Sequence, residues 1–430
     1  MELIRKQVNN GIDLHIDTTD KFKTVTINLY IHNQLGEEAT KYALLPAVLK
    51  RGTSSIKTYK EIVKFLENLY GTTMAVSVYK KGERHLQQYR LELPQEEYIK
   101  ENILEEGVKF LKELVFNPLT EGNAFNKNYV LQEKEIHKNL IDSRINDKTK
   151  YAVDRCYEEM CKGEPFAIFE LGKSEDLEVI DETNLYHYYQ NCINTLPMDI
   201  YVVGRVDPKY VEEVFRKYFS FQRGQILNIP SPKVYKEVKE VKYVTENLEV
   251  TQGKLTLGFR TNIPSNSEEY FPLLVYSGVL GGGPFSKLFM NVRERASLAY
   301  YAYSRLERFK GLMVVSCGIE IENYNKALDI ILKQLKEIEE GHISDYELDS
   351  TIKALKTSLN AMKDNATSKS DYYLSQKIAG VDLNIEEFVK KVEKVTKEDV
   401  VEVAKKVKLD TVYFMTGKKE AKTVEISSKK

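Results

Sequence analysis

The feature that most constrains this chain is that it repeats itself. A strand-like alternating run, TVTINLYIH (Thr24 to His32), leads through a polar turn into a helical run that ends LKRGT. Far downstream KLTLGFRT (Lys254 to Thr261) leads through NIPSNSEEY into the helical run FPLLVYSGVLGGG. The parallel continues, because HLQQYRLELPQEEYIKENILEEGVKFLKEL (His85 to Leu114) and GLMVVSCGIEIENYNKALDIILKQLKEI (Gly311 to Ile338) each pass from a strand into an amphipathic helix. Both helices place apolar residues at i, i+3, i+4 and i+7, which line one face. A third correspondence sets IYVVGRVDPKYVEEVFRKYF (Ile200 to Phe219) against TVYFMTGKKEA (Thr411 to Ala421), each opening on a short apolar strand.

A repeat of this length means one design used twice, and element order decides the class. Several strands read as antiparallel or meandering, so the expected fold is α+β: two homologous halves, each a mostly antiparallel sheet with helices on one face. The first half is expected to span residues 1–222 and the second 242–430. Between them, RGQILNIPSPKVYKEVKEV (Arg223 to Val241) has the Pro, Gly, Ser and Lys content of an extended linker. Residues Asp345 to Ser370 read as one helix, with Leu348, Ile352, Leu355 and Leu359 on one side, and Tyr129 to Tyr151 as its first-half counterpart.

Charge narrows the partners. Sixty-three Lys and Arg against 64 Asp and Glu leave a net charge of −1, with no field to draw in nucleic acid or anionic lipid. The opening MELIRKQVNNGIDLHI lacks the features of a secretory signal, and the apolar runs fall short of the roughly 18 residues that a spanning helix needs. A cytoplasmic protein without a membrane segment is expected. Four cysteines without CxxC spacing read as reduced thiols.

Hydrolytic zinc sites often place two ligands one helical turn apart. No two of the six histidines have that spacing, so HExxH and HxxEH are both missing. Taken singly, His85 is expected at a strand edge and His137 on a helix surface. There is no GxSxG elbow, and the Gly281 to Gly283 run continues into Pro-Phe-Ser-Lys rather than the ending of a phosphate loop. The densest cluster of unusual residues is LGGGPFSKLFMNVRERASLAYYAYSR (Leu280 to Arg305). Gly281, Gly282 and Gly283 permit positive dihedrals and close backbone approach. Arg293 and Tyr300 can converge whether the helix runs on or gives way to a strand, and a guanidinium with a phenol suits a peptide carbonyl or an oxyanion. The plainer alternative is a surface arginine paired with Glu294 or Glu320 and a tyrosine packed in the core.

The two halves together with GGGPFSKLFMNVRERASLAYYAYS resemble the pitrilysin-like (M16) zinc peptidases over nearly the whole chain. Active members of that family carry HxxEH on a helix shortly before a Gly-Thr like Gly52-Thr53. Laid onto KYALLPAVLKRGT (Lys41 to Thr53), the resemblance places the ligand histidines on Ala43 and Ala47 and the catalytic glutamate on Pro46. The third ligand position falls on Glu133. Alanine and proline bind no zinc and activate no water, and a helix-interior proline is expected to shift or kink the turn. The resemblance therefore implies a non-catalytic subunit with no cofactor of its own. Zinc would sit in a heterodimeric HxxEH partner, and Arg293, Tyr300 and Gly281 to Gly283 would bind a peptide or small unfolded protein in trans. The alternative it leaves is a peptide-binding scaffold or maturation accessory, for example one associated with elongation factor P modification.

Overall fold

The computed structural model describes residues 3–417 apart from 100 and 102. One sheet is built from β1 (Ile4–Asn9), β2 (Ile12–Thr18), β3 (Thr24–Gln34), β4 (Thr73–Lys81) and β5 (Arg84–Pro94); a small separate hairpin, β6 (Thr120–Glu121) and β7 (Ala124–Phe125), precedes its last strand, β8 (Met198–Gly204). The second sheet comprises β9 (Lys242–Leu248), β10 (Gly253–Arg260), β11 (Ala299–Glu307), β12 (Leu312–Ile319) and β13 (Lys408–Gly417). The spatial orders are β1-β2-β8-β3-β5-β4 and β11-β12-β10-β13-β9. From β4 inward the first sheet reads β4-β5-β3-β8-β2, with three antiparallel pairings and then one parallel. The second sheet reads the same way, antiparallel three times and then parallel at β13–β9. The repeat seen in the sequence is thus a repeat of topology, in mostly antiparallel α+β layers.

The compact units are drawn differently from the contiguous halves 1–222 and 242–430. Unit 1 consists of Met1–Arg144, Glu164–Pro232 and Thr357–Glu386; unit 2 consists of Ile145–Gly163, Lys233–Lys356 and Glu387–Lys430. Each unit has a segment from the other half of the chain, and that segment supplies a helix to its sheet. In unit 1, Val25, Ile27, Leu29 and Ile31 of β3 pack into a core with the helices Ala39–Leu49, Ile103–Phe116 and Pro208–Phe219. The alternate residues Thr26, Asn28, Tyr30 and His32 are buried as well, because the helix Ala366–Ala379 covers the opposite face. Leu374 of that helix packs with Tyr30, Leu86 and Tyr201, and Asn28 Nδ2 donates to Ser370 Oγ at 3.1 Å. A strand with polar residues at every second position is thereby buried on both faces.

Unit 2 repeats the device with the helix Lys148–Met160. Ala152 and Cys156 pack against Tyr413 and Met415, and Tyr151 Oη donates to Glu246 at 3.0 Å. A side chain at Gly258 would put its Cβ 2.8 Å from Met160 Sδ, so the helix lies close enough to require glycine there.

Two long helices read from periodicity are in fact interrupted. Lys127–Asp142 gives way to a 3₁₀ turn at Ser143–Asn146, after which Asp147 caps the next helix by accepting from the Lys150 N–H at 3.0 Å. Likewise Asp345–Ala361 ends in Met362–Asp364, and Asn365 caps Ala366–Ala379 by accepting from the Ser368 N–H at 2.8 Å. In both halves a short polar side chain offers the backbone a cap in place of a continued helix. Residues 220–239 carry neither helix nor strand. Positions 418–421 of the third sequence correspondence lie outside the described residues. Among the described residues no helix is long and apolar enough to cross a membrane.

Candidate functional site

The stretch on which the resemblance lays the metal site is a mostly buried helix. Ala39–Leu49 continues through Pro46 without interruption, with Ala43 buried and Ala47 half-buried. Proline has no N–H to give the carbonyl one turn earlier, which is that of Tyr42. Gln87 on β5 supplies the missing donor, its Nε2 lying 2.7 Å from Tyr42 O, and Gln87 Oε1 in turn accepts from Tyr89 Oη at 3.0 Å. The expected disruption at Pro46 is thus absorbed by a side chain from the sheet.

The helix Lys127–Asp142 turns Val130, Glu133 and His137 inward. Glu133 is 1% exposed, and its Oε1 accepts from Arg51 Nε just beyond the end of the Ala39–Leu49 helix. Arg51 also lies over the Tyr129 ring at 5.7 Å. Glu133 Oε2 is buried without a hydrogen-bond partner. One turn on, His137 is not a surface residue but 3% exposed, with Nε2 2.8 Å from Leu171 O; burial lowers its pKa. His85 also departs from expectation. β5 is an interior strand, so His85 is fully buried against Tyr42, and desolvation pushes its pKa down to about 3.

These residues do not fit a zinc ion. Ala43, Pro46 and Ala47 offer no ligand atom, and the remaining carboxylate at Glu133 is engaged by a guanidinium. Among the described residues, no group of three or more His, Cys, Asp or Glu side chains is arranged to hold a metal.

In unit 2 the glycine run serves close approach. None of Gly281, Gly282 and Gly283 has a positive φ. Gly281 ends the helix Tyr270–Gly281, and a Cβ there would lie 2.3 Å from the backbone N of Ser304 on β11. Gly282 is exposed and Gly283 half-buried. The chain then forms a π-helical turn, Phe289–Arg295, and passes through Ser297, whose φ of 51° is left-handed, into β11. Arg293 therefore sits on the turn and Tyr300 at the start of the strand.

Both residues are open to solvent, Arg293 at 45% and Tyr300 at 54%. Arg293 Nε is 3.8 Å from Glu294 Oε1 and its guanidinium lies 4.7 Å from the Phe289 ring. Tyr300 Oη donates to Glu320, and that bond to a carboxylate raises the phenol pKa. The arginine thus matches the plainer expectation, while the tyrosine does not lie in the core. Gln252, near enough to Tyr300 to act on its phenol, also lines a polar groove of about 890 Å³ with Asp147, Lys148, Thr149, Glu249 and Lys254. Arg51, Gln87 and this groove were not visible as sequence motifs.

A family model described as peptidase M16 inactive domain matches residues 180–355. The chain is 40% identical to the probable inactive metalloprotease YmfF of Bacillus subtilis, over 96% of this chain and 97% of that protein. It is 30% identical to a conserved protein of Enterococcus faecalis of known structure, with a TM-score of 0.91 over 97% of this chain and 99% of that one. A peptidase M16 inactive domain structure from Pseudomonas fluorescens is similar in fold, with 16% identity and a TM-score of 0.81 over 98% and 99% of the two chains.

Proposed function

The chain belongs to the M16 peptidase family as an inactive homologue of a metallopeptidase, and from that premise we propose that it is the non-catalytic subunit of a heterodimeric peptidase. In this reading it supplies substrate-binding groups and part of the enclosure to an HxxEH-bearing partner that carries the zinc. The observation that carries the proposal is an asymmetry. The three positions that would bind metal and activate water are Ala43, Pro46 and Ala47 in an intact helix, whereas Arg293 and Tyr300 both remain exposed to solvent.

Arg293 would hold a peptide carbonyl through its fixed donors, and Tyr300 would present its hydroxyl to the charge that develops on that oxygen. Peptides or small unfolded proteins are the substrate class, since the donors address the main chain rather than a side chain. Gly281 would keep β11 close to the helix before it, and Gly282 and Gly283 would border the bound chain.

Co-expression with an HxxEH homologue tests this directly. A stable complex that cleaves peptides is expected, with activity reduced about 100- to 1,000-fold by Arg293→Ala or Tyr300→Phe while the complex still forms. Unchanged cleavage in both variants would refute the trans-acting role. A chain that forms no complex and cleaves nothing, yet retains peptides, would favour the scaffold reading instead.

A further inference from the structure

The polar groove of unit 2 opens where the helix Lys148–Met160 begins. Side chains alternate along a strand, so β10 turns Lys254, Thr256 and Gly258 to one face, and Gly258 faces Met160 and Cys156 of that helix. Gly258 thus meets the last turn of the helix. Lys254, four residues back along the strand, reaches its first turn, where Lys148 and Thr149 line the groove with it. The row across the sheet is fixed by register, because Tyr301 pairs with Gly318 and Gly318 with Lys254. The Tyr301 ring reaches across Gly318, which has no side chain to obstruct it, and its centroid lies 5.5 Å from Lys254 Nζ.

The cations of this groove lack an anion. Lys148 and Lys254 are both half-buried, and among the described residues neither pairs with a carboxylate. The two carboxylates that line the groove do not answer them: Asp147 accepts from the Lys150 N–H as the helix cap, and Glu249 is exposed. The face of the Tyr301 ring compensates Lys254 in part. Burial nevertheless lowers the pKa of Lys254, the mark of an ammonium that has given up water without gaining a counter-ion. A charge taken from water is ordinarily paired, and the space beside this one is of the size that holds a ligand.

We propose that this groove takes the acidic side chain, Asp or Glu, of a bound peptide, with Lys254 Nζ and Lys148 Nζ donating to its carboxylate. Its placement on the peptide rests on the reading of Arg293 and Tyr300 as holders of the main chain. Tyr300 directly precedes Tyr301 on β11, and β11 lies two strand spacings from β10, about 10 Å. Gln252 connects the two places, since it acts on the Tyr300 phenol and lines the groove. An extended peptide advances about 3.3 Å per residue and so spans that distance in about three residues. The groove thereby adds a side-chain preference to donors that address only the main chain.

Fluorescence anisotropy with the full chain tests this, using labelled short peptides that are identical except for Glu, Gln or Lys at one position. The Glu peptide should bind about ten-fold or more tightly than the Gln peptide, and the Lys peptide more weakly than either. That comparison needs no substitution and stands whatever the variants do. Lys254→Met, which keeps the stem beside Tyr301, should abolish the preference for Glu over Gln, and Lys148→Met should reduce it. Arg293→Ala and Tyr300→Phe should weaken the Glu and Gln peptides alike and leave their ratio intact. Equal affinity for the Glu and Gln peptides, no binding of any peptide, or a preference that survives Lys254→Met overturns the proposal. Failure of the main-chain reading looks different: Arg293→Ala and Tyr300→Phe then change neither affinity, while a Glu preference that depends on Lys254 upholds the groove.

Discussion

At position 46 a proline occupies the interior of a buried helix, and its cost is met at a single atom. The Tyr42 carbonyl, which has lost its helical donor, is satisfied by Gln87 Nε2. Gln87→Leu should therefore cost about 1–3 kcal/mol, the penalty for an unsatisfied buried carbonyl. In a Pro46→Ala background the restored N–H can serve that carbonyl, and the same Gln87→Leu change should cost clearly less. Urea midpoints for the two single variants and the double variant measure this coupling; equal costs in both backgrounds would show that the two residues are independent. Once the resemblance to the M16 peptidases lays HxxEH on 43, 46 and 47, the absence is legible from residue identity, because no backbone arrangement gives alanine or proline a metal ligand. The capture of Glu133 by Arg51 was not, since the two lie 82 residues apart and meet only through the packing of two helices.

Among the elements, the interrupted helices have the largest consequence. Periodicity ran through Asp345 to Ser370 and Tyr129 to Tyr151 because both sides of each break are helical. The breaks depend on Asn365 and Asp147, whose side chains cap new helices that belong to a different unit from much of the preceding chain. Asn365→Ala should destabilise the protein by about 0.5–2 kcal/mol, and Asn365→Asp should retain most of that stability. Thermal or urea unfolding of the pair provides the comparison, and an alanine as stable as the aspartate would remove the cap from the account. The glycines show a similar limit. GGG was recognisable as a place of backbone freedom, but its use at Gly281 is to admit the β11 backbone, which is a relation between two elements and not a property of either.

For the whole molecule, the distribution of histidine makes acid the selective stress. His15, His32, His85, His137 and His187 belong to unit 1, and only His342 belongs to unit 2, where it is 61% exposed. Burial lowers the pKa of His32 and His85, the latter to about 3. A histidine whose folded pKa is depressed contributes stability in full above its unfolded value of about 6.5, and that contribution is lost as pH falls toward the folded value. Burial by itself would raise Asp199, but its bonds to His15 and His32 and the nearby Lys377 charge hold it well below the usual carboxylate range. Its contribution is present above about 3.9 and is lost below that. Unit 1 should consequently open before unit 2 as pH falls from about 6.5. The buried thiols of Cys192 in unit 1 and Cys317 in unit 2 report on this, and an acid-competent thiol reagent should label Cys192 first. Simultaneous labelling would mean that the two units unfold together.

The sequence by itself determined that one α+β design is used twice and that the residues on which the M16 resemblance lays the metal site, Ala43, Pro46 and Ala47, carry no ligand atom. Both follow from local pattern: hydrophobic periods record which face of an element is buried, and side-chain chemistry states what an atom can bind. The tertiary structure alone decided which helix covers which sheet, why β3 is buried on its polar face, how Pro46 is tolerated, and where His15, His32 and Asp199 meet. Those facts depend on contacts between residues far apart in the chain, and such contacts leave no period in the sequence because either partner can satisfy its local pattern without specifying the other.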